Sequence, residues 1–140
     1  MADPGVMVQG GFASAASERR PVGGPFGREL IGFLKDQLSP HVPILELGAG
    51  TGLLTGQLHR ARLDVLAIEP EADSLAQLRR SLPAVPALHA ELDNLPVRDM
   101  SVGAVVIVTD GPVESLAHDA RRVLGAQGLL VLLNRDARGA

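Results

Sequence analysis

Between positions 28 and 133 the apolar residues switch repeatedly between helical and strand spacing, and the switching predicts the fold class. Leu30, Ile31, Leu34 and Leu38 fall on one face at helical spacing. They predict a helix over 28–38, stopped by Ser39 and Pro40. A short apolar run at 44–47 reads as a strand and 53–60 as a helix. The run 64–68 reads as a second strand, ending at Glu69 and Pro70. Positions 72–81 follow as a helix with Leu75, Leu78 and Leu82 along one face. A third strand is expected at 85–89. The run 102–108 is apolar and rich in β-branched residues, so it is expected to be a strand buried on both faces. A helix over 113–124, a turn framed by Gly125 and Gly128, and a fifth strand at 129–133 complete the pattern. Strands alternating with helices of about ten residues mean βαβ units and a parallel sheet. Right-handed crossovers narrow the topology to a doubly wound sheet.

Residues 1–27 are rich in Gly, Ala, Ser and Pro and hold no sustained period. They are read as a flexible arm with one helical turn near 13–19, and residues 28–140 as a single domain. The length of 140 residues fits one domain with its own core. Aromatics make up 2% of the chain, and three Phe cannot build a base-stacking platform. Lys35 is the only lysine and the net charge is -3, so no basic footprint for nucleic acid is expected. The longest apolar run is far short of the roughly 20 residues that a spanning helix needs, and no membrane partner is expected. The first residues lack a basic stretch followed by an apolar block, which reads as a cytoplasmic protein. With no cysteine there are no disulfides, Cys-ligated metals or thiol catalysis. His41, His59, His89 and His118 have no ligand spacing and read as surface or structural, so no metal is expected.

The chemistry is concentrated where the first strand meets its helix. Glu46, Gly48, Ala49, Gly50 and Gly52 lie there. In an open α/β sheet, ligands bind outside the carboxyl ends of the strands near the switch point. Glycine lets the backbone turn sharply and approach a ligand without a Cβ in the way. A dinucleotide fingerprint would need a third glycine at position 53, which is Leu53. A phosphate loop would need a Gly-Lys pair, and the chain has none. Glu69 ends the second strand, where an acid reads ribose hydroxyls.

These residues resemble the class I S-adenosylmethionine-dependent methyltransferases, in the manner of the type 11-like small-molecule enzymes. Residues 46–52 resemble their first motif and Ala67-Ile68-Glu69-Pro70 their second-strand acid. Residues 91–97, followed by Asp99 and Ser101, resemble the loop before strand four. Arg121-Arg122-Val123-Leu124 with Gly125 and Gly128 resembles the turn before strand five. The resemblance implies a Rossmann-like doubly wound sheet in the order 3-2-1-4-5 and S-adenosyl-L-methionine as cofactor. It implies that Gly48, Ala49 and Gly50 pass under the methionine part, with Gly52 closing the motif. Glu46 would hold the amino group and Glu69 the ribose hydroxyls. Glu91 and the Leu92 backbone would meet the adenine edge, with Pro70 or Ala72 on the adenine face.

The chain also departs from the family. After strand four it carries Thr109-Asp110-Gly111-Pro112, without the aromatic or His residues that usually face the substrate. Asp110 is the one candidate general base, at the tip of strand four, and it reads more readily as a turn former before Gly111 and Pro112. The family sheet continues for two strands beyond the fifth, so the edge at 129–133 is expected to be covered by self-pairing, by a partner chain or by the arm. The expected function is methyl transfer to a small molecule. The alternative is a non-catalytic cofactor-binding or protein-interaction module derived from a methyltransferase. A nicotinamide-dependent oxidoreductase fails on the glycine spacing. Arg79, Arg80, Arg121 and Arg122 are expected to line exposed helix faces.

Overall fold

The structure is a computed structural model and describes residues 6–7, 24–109 and 114–134. Its strands are β1 (Val6–Met7), β2 (Pro43–Leu47), β3 (Asp64–Glu69), β4 (Ala87–His89), β5 (Val102–Thr109) and β6 (Leu124–Asn134). Its helices are α1 (Gly24–Gln37), α2 (Leu53–Arg60), α3 (Ala72–Ser81) and α4 (Glu114–Val123). The six strands form one sheet in the order β1-β6-β5-β2-β3-β4, and every pair is parallel. The five expected strands are β2 to β6, so the expected order 3-2-1-4-5 is the one observed. β2 is the switch point. The chain moves from it through β3 to β4, then crosses back to β5 on its other side.

Alternation along the buried strands sorts the core onto two faces. Ile44, Val65, Ala104, Val106, Val108 and Val131 pack under α1 and α2, which contribute Leu30, Leu34, Leu54 and Leu58. Leu45, Leu47, Val105, Ile107 and Leu130 point to the other face and meet Ala120 and Val123 of α4. Leu75 and Leu78 of α3 close over Ala49, Ala67 and Ala87. A fully buried aliphatic side chain contributes about 1.5–3 kcal/mol, so these two layers supply the main driving force for folding.

Element boundaries differ from the expected ones in ways that have physical causes. The first helix starts at Gly24 rather than 28. Pro25 is tolerated there because the first turn needs no N–H donor. The last strand starts at Leu124, directly after α4, rather than at 129. Val102 pairs with Leu124 and Ala104 with Leu129, so the stretch 125–128 is an irregularity inside a continuing ladder. β4 is only Ala87–His89, shorter than the expected 85–89. The outer edge of β6 carries β1, with Val6 opposite Leu130 and Met7 opposite Val131. Of the three covers considered for that edge, the arm supplies the one described.

Candidate functional site

β2 ends at Leu47, and the next five residues turn the chain into α2 through three left-handed glycines. Gly48 has φ 81°, Gly50 φ 63° and Gly52 φ 103°. L-residues avoid this region at a cost of about 1–2 kcal/mol each, so the turn requires glycine. Gly48 and Ala49 donate their N–H groups to the Ile68 carbonyl at 2.9 and 3.2 Å, which pins the loop against the end of β3. Gly52 is the N-cap of α2 and carries no side-chain cap. A Cβ on Gly52 would lie 3.1 Å from Leu82 Cδ1 and 3.2 Å from Leu78 Cγ. The third glycine therefore admits α3. A Cβ on Gly50 would meet nothing within 4 Å. It would project into open space beside the turn.

Two buried carboxylates flank this turn. Glu69 is 4% exposed and Glu46 1%. The Gly50 N–H donates to Glu69 Oε1 at 2.6 Å, and the Glu71 N–H donates to Glu69 Oε2 at 2.9 Å. The acid at the end of β3 thus faces the glycine turn and is held across it. Each carboxylate oxygen has a second lone-pair direction, so both remain able to accept from a diol. Glu46 lies in β2, one residue before its end, and its Oε1 accepts from Thr55 Oγ1 at 2.6 Å. Thr55 is fully buried in α2.

Electrostatically the turn combines α2's first-turn N–H groups, which favour an anion, with two buried acids, which favour a cation. A ligand carrying both a carboxylate and positive charge matches this set. A pyrophosphate matches the helix end but would face Glu46 beneath the loop. β4 and the segment after it lie beside β3. His89, opposite Glu69 in the ladder, places Nε2 2.9 Å from the Pro70 carbonyl. Pro70 is half-buried and Ala72 exposed. Glu91 is exposed, and its carbonyl accepts from the Asn94 N–H at 3.3 Å. Leu92 is half-buried against the α4-side core.

Comparison with known proteins decides the family. A family model described as a methyltransferase domain matches residues 44–128. The chain belongs to this family. The methyltransferase domain is 44% identical over 101 residues to an uncharacterised methyltransferase of Mycobacterium tuberculosis, covering 68% of this chain and 41% of that protein. The chain thus spans about two-fifths of the length of these curated relatives. Among solved structures it resembles an S-adenosyl-L-methionine-dependent methyltransferase of Methanococcus maripaludis at TM-score 0.67 and 13% identity. That match covers 88% of this chain and 57% of the other. It also resembles geranyl diphosphate C-methyltransferase of Streptomyces coelicolor, solved with S-adenosyl-L-homocysteine, at TM-score 0.64 and 19% identity. There the match covers 76% of this chain and 43% of the other. At these identities the likenesses speak for the fold.

Within the methyltransferase domain, the structure gathers Glu46, Gly48, Ala49, Gly50, Gly52, Glu69 and Pro70 at one end of the central strands. Glu91 and Leu92 follow the adjacent strand tip. Asp110 lies outside the described residues. Thr55 was missed from sequence, because nothing in a helix interior marks a threonine as the partner of a buried acid. Arg122 is a correction. It was expected on an exposed face, but it bonds Asp119, Asp99 and the carbonyls of Leu95 and Val97. Arg79 is exposed as expected, yet it donates to the Ala87 carbonyl at 2.6 Å and ties α3 to β4. Among the described residues no cluster of His, Asp and Glu could hold a metal ion. No described helix is long and apolar enough to cross a membrane.

Proposed function

We propose that this chain binds S-adenosyl-L-methionine and serves methyl transfer to a small-molecule acceptor in the cytoplasm. The observation that carries the reading is the 2.6 Å bond from the Gly50 N–H to the buried Glu69 carboxylate, beside an open space that no Cβ enters. The residues fit the cofactor's chemistry. Glu69 would accept from the ribose hydroxyls, and Gly48, Ala49 and Gly50 would leave room for the methionine part. Glu46 lies where an ammonium group would be held. α2's first-turn N–H groups would take the carboxylate, while Glu91, Leu92 and Pro70 would take the adenine. The bound cofactor supplies an activated methyl group on a sulfonium. The protein's contribution is then proximity and alignment, which can be worth about 7–11 kcal/mol. A base is required only for an acceptor that carries a proton at the attacking atom. Asp110 is the residue proposed for that role.

Calorimetry tests the reading. S-adenosyl-L-methionine and S-adenosyl-L-homocysteine are expected to bind with micromolar affinity, and NADH far more weakly. Glu69→Ala is expected to weaken S-adenosyl-L-homocysteine by about tenfold or more, since it removes a charged acceptor. Tighter binding of NADH, or affinity unchanged in Glu69→Ala, would contradict it.

A partner on the β6 edge belongs to the same reading. β6 runs Leu124–Asn134, and among the described residues β1 pairs with Leu130 and Val131. A second copy or a partner chain pairing along the rest of that edge would complete the sheet. Sedimentation should then show self-association or partner uptake. A monodisperse monomer with fast amide exchange at Leu129, Leu132 and Leu133 speaks against it.

A further inference from the structure

The crossover from β4 to β5 contains no helix. Residues 90–101 run across the α4-side face as a loop, with Leu95 buried and Leu92 and Val97 packed beside it. A loop lying on a core must find partners for its backbone groups outside itself. Here two side chains of α4 supply them. Asp119 Oδ2 accepts the Leu95 N–H at 2.6 Å. Arg122 Nη2 donates to the Leu95 carbonyl at 2.8 Å and Nη1 to the Val97 carbonyl at 2.9 Å. Arg122 Nε donates to Asp119 Oδ1 at 2.7 Å, so the two side chains brace each other. Nη1 also reaches Asp99 Oδ1 at 2.6 Å. The Arg122 carbonyl then accepts the Met100 N–H at 2.9 Å. One planar guanidinium therefore joins residues 95, 97 and 99, the middle and later part of the loop, to α4, a task suited to its rigid fork of donors.

The same loop begins with Glu91 and Leu92, beside the acid-bearing tip of β3. α4 in turn follows β5 in the chain, on the side proposed above for the acceptor through Asp110. We propose that Arg122, braced by Asp119, is a positioning residue that sets the adenine-side loop and thereby couples cofactor affinity to the placement of α4. This rests on the cofactor reading given above. Arg122 acts through the backbone of residues 95 and 97. Because the loop has no helix of its own, its conformation depends on this contact more than a helical crossover would.

A graded series of variants tests the inference. Asp36 is exposed on α1, which packs on the opposite face of the sheet, so Asp36→Asn is expected to leave S-adenosyl-L-homocysteine affinity unchanged. Arg122→Met removes the guanidinium bonds to Leu95, Val97 and Asp99, leaving those made by Asp119 and by the main chain, and is expected to weaken S-adenosyl-L-homocysteine and adenosine in parallel by about tenfold. In the free protein, exchange of the Leu95 amide should accelerate while exchange in β2 and β5 stays slow. Arg122→Lys should fall between the two, because one ammonium cannot span both carbonyls and both carboxylates. If Arg122→Met binds S-adenosyl-L-homocysteine as tightly as the wild type, the positioning role is wrong and the cofactor reading stands. If affinity falls only in step with global unfolding, with β2 and β5 amides exchanging as fast as Leu95, the role is structural and the inference is overturned. If the wild type binds neither ligand, the cofactor reading falls and takes the coupling with it.

Discussion

Gly50 and Gly52 share a left-handed backbone but differ in what a methyl group would meet, and that difference separates ligand binding from folding. At Gly52 an added Cβ runs into Leu82 and Leu78 as well as adopting a disfavoured φ of 103°. Gly52→Ala is expected to cost about 2–5 kcal/mol in urea unfolding, the sum of backbone strain and overpacking. At Gly50 only the backbone cost of about 1–2 kcal/mol applies, because the space beside it is open. Gly50→Ala should therefore stay folded while its methyl group intrudes on the ligand, and S-adenosyl-L-homocysteine affinity should fall further than stability. Equal stability losses at the two positions would contradict this division. Thr55→Val is a separate residue-scale test. It keeps the side-chain shape but leaves the buried Glu46 Oε1 without its hydroxyl donor, for an expected loss of about 1–3 kcal/mol in the same measurement. The glycines and the two acids were legible from sequence because they sit at strand ends, where the fold class itself says ligands bind. Thr55 was not, because its partner lies nine positions away and across an element boundary.

Among the elements, the loop between β4 and β5 carries a pH dependence. The Arg122 guanidinium beside Asp119 holds the Asp119 carboxyl below the usual carboxylate range, and burial opposes it only in part. Asp119 therefore binds its proton more readily in the unfolded chain than in the folded one. Its stabilisation is complete above the unfolded value of about 3.9 and is lost as the pH falls through the lower folded value. Urea midpoints of the wild type and Asp119→Asn should differ at neutral pH and converge as the pH drops below about 4. A gap that persists at low pH would mean that the stabilisation does not come from the ionised carboxyl. This contact was not readable from the sequence. Asp119 and Arg122 are three positions apart on one helix, which suggests only a surface pair, whereas their bonds to residues 95–99 exist only once the loop folds across the sheet. The strands and helices themselves were legible because buried parallel strands are apolar runs and the covering helices keep their spacing. Boundaries slipped where glycine and proline had two compatible roles, at Gly24–Pro25 and at Gly125–Gly128.

For the whole molecule, one central switch point organises everything. The order β4-β3-β2-β5-β6 places the carboxyl ends of β2 and β3 side by side, so Glu46, the glycine turn and Glu69 converge without any long insertion. The helices α1 and α2 shield one face, while α4 and the loop before β5 shield the other. The order was legible because right-handed crossovers leave few arrangements of such a pattern. The strand β1 was not anticipated as a strand, since two residues hold no period, and its pairing with β6 depends on an edge that only the assembled sheet presents. The central claim is that the turn at 48–52 and Glu69 form one cradle for the adenosyl cofactor. Amide NMR during titration with S-adenosyl-L-homocysteine tests it at the level of single residues. The account predicts saturable shifts at Gly48, Gly50, Glu71 and Leu92, with Lys35, Val42 and Leu63 at the opposite end of the sheet unmoved. Shifts confined to that opposite end, or none at Gly50 under saturating ligand, would contradict it.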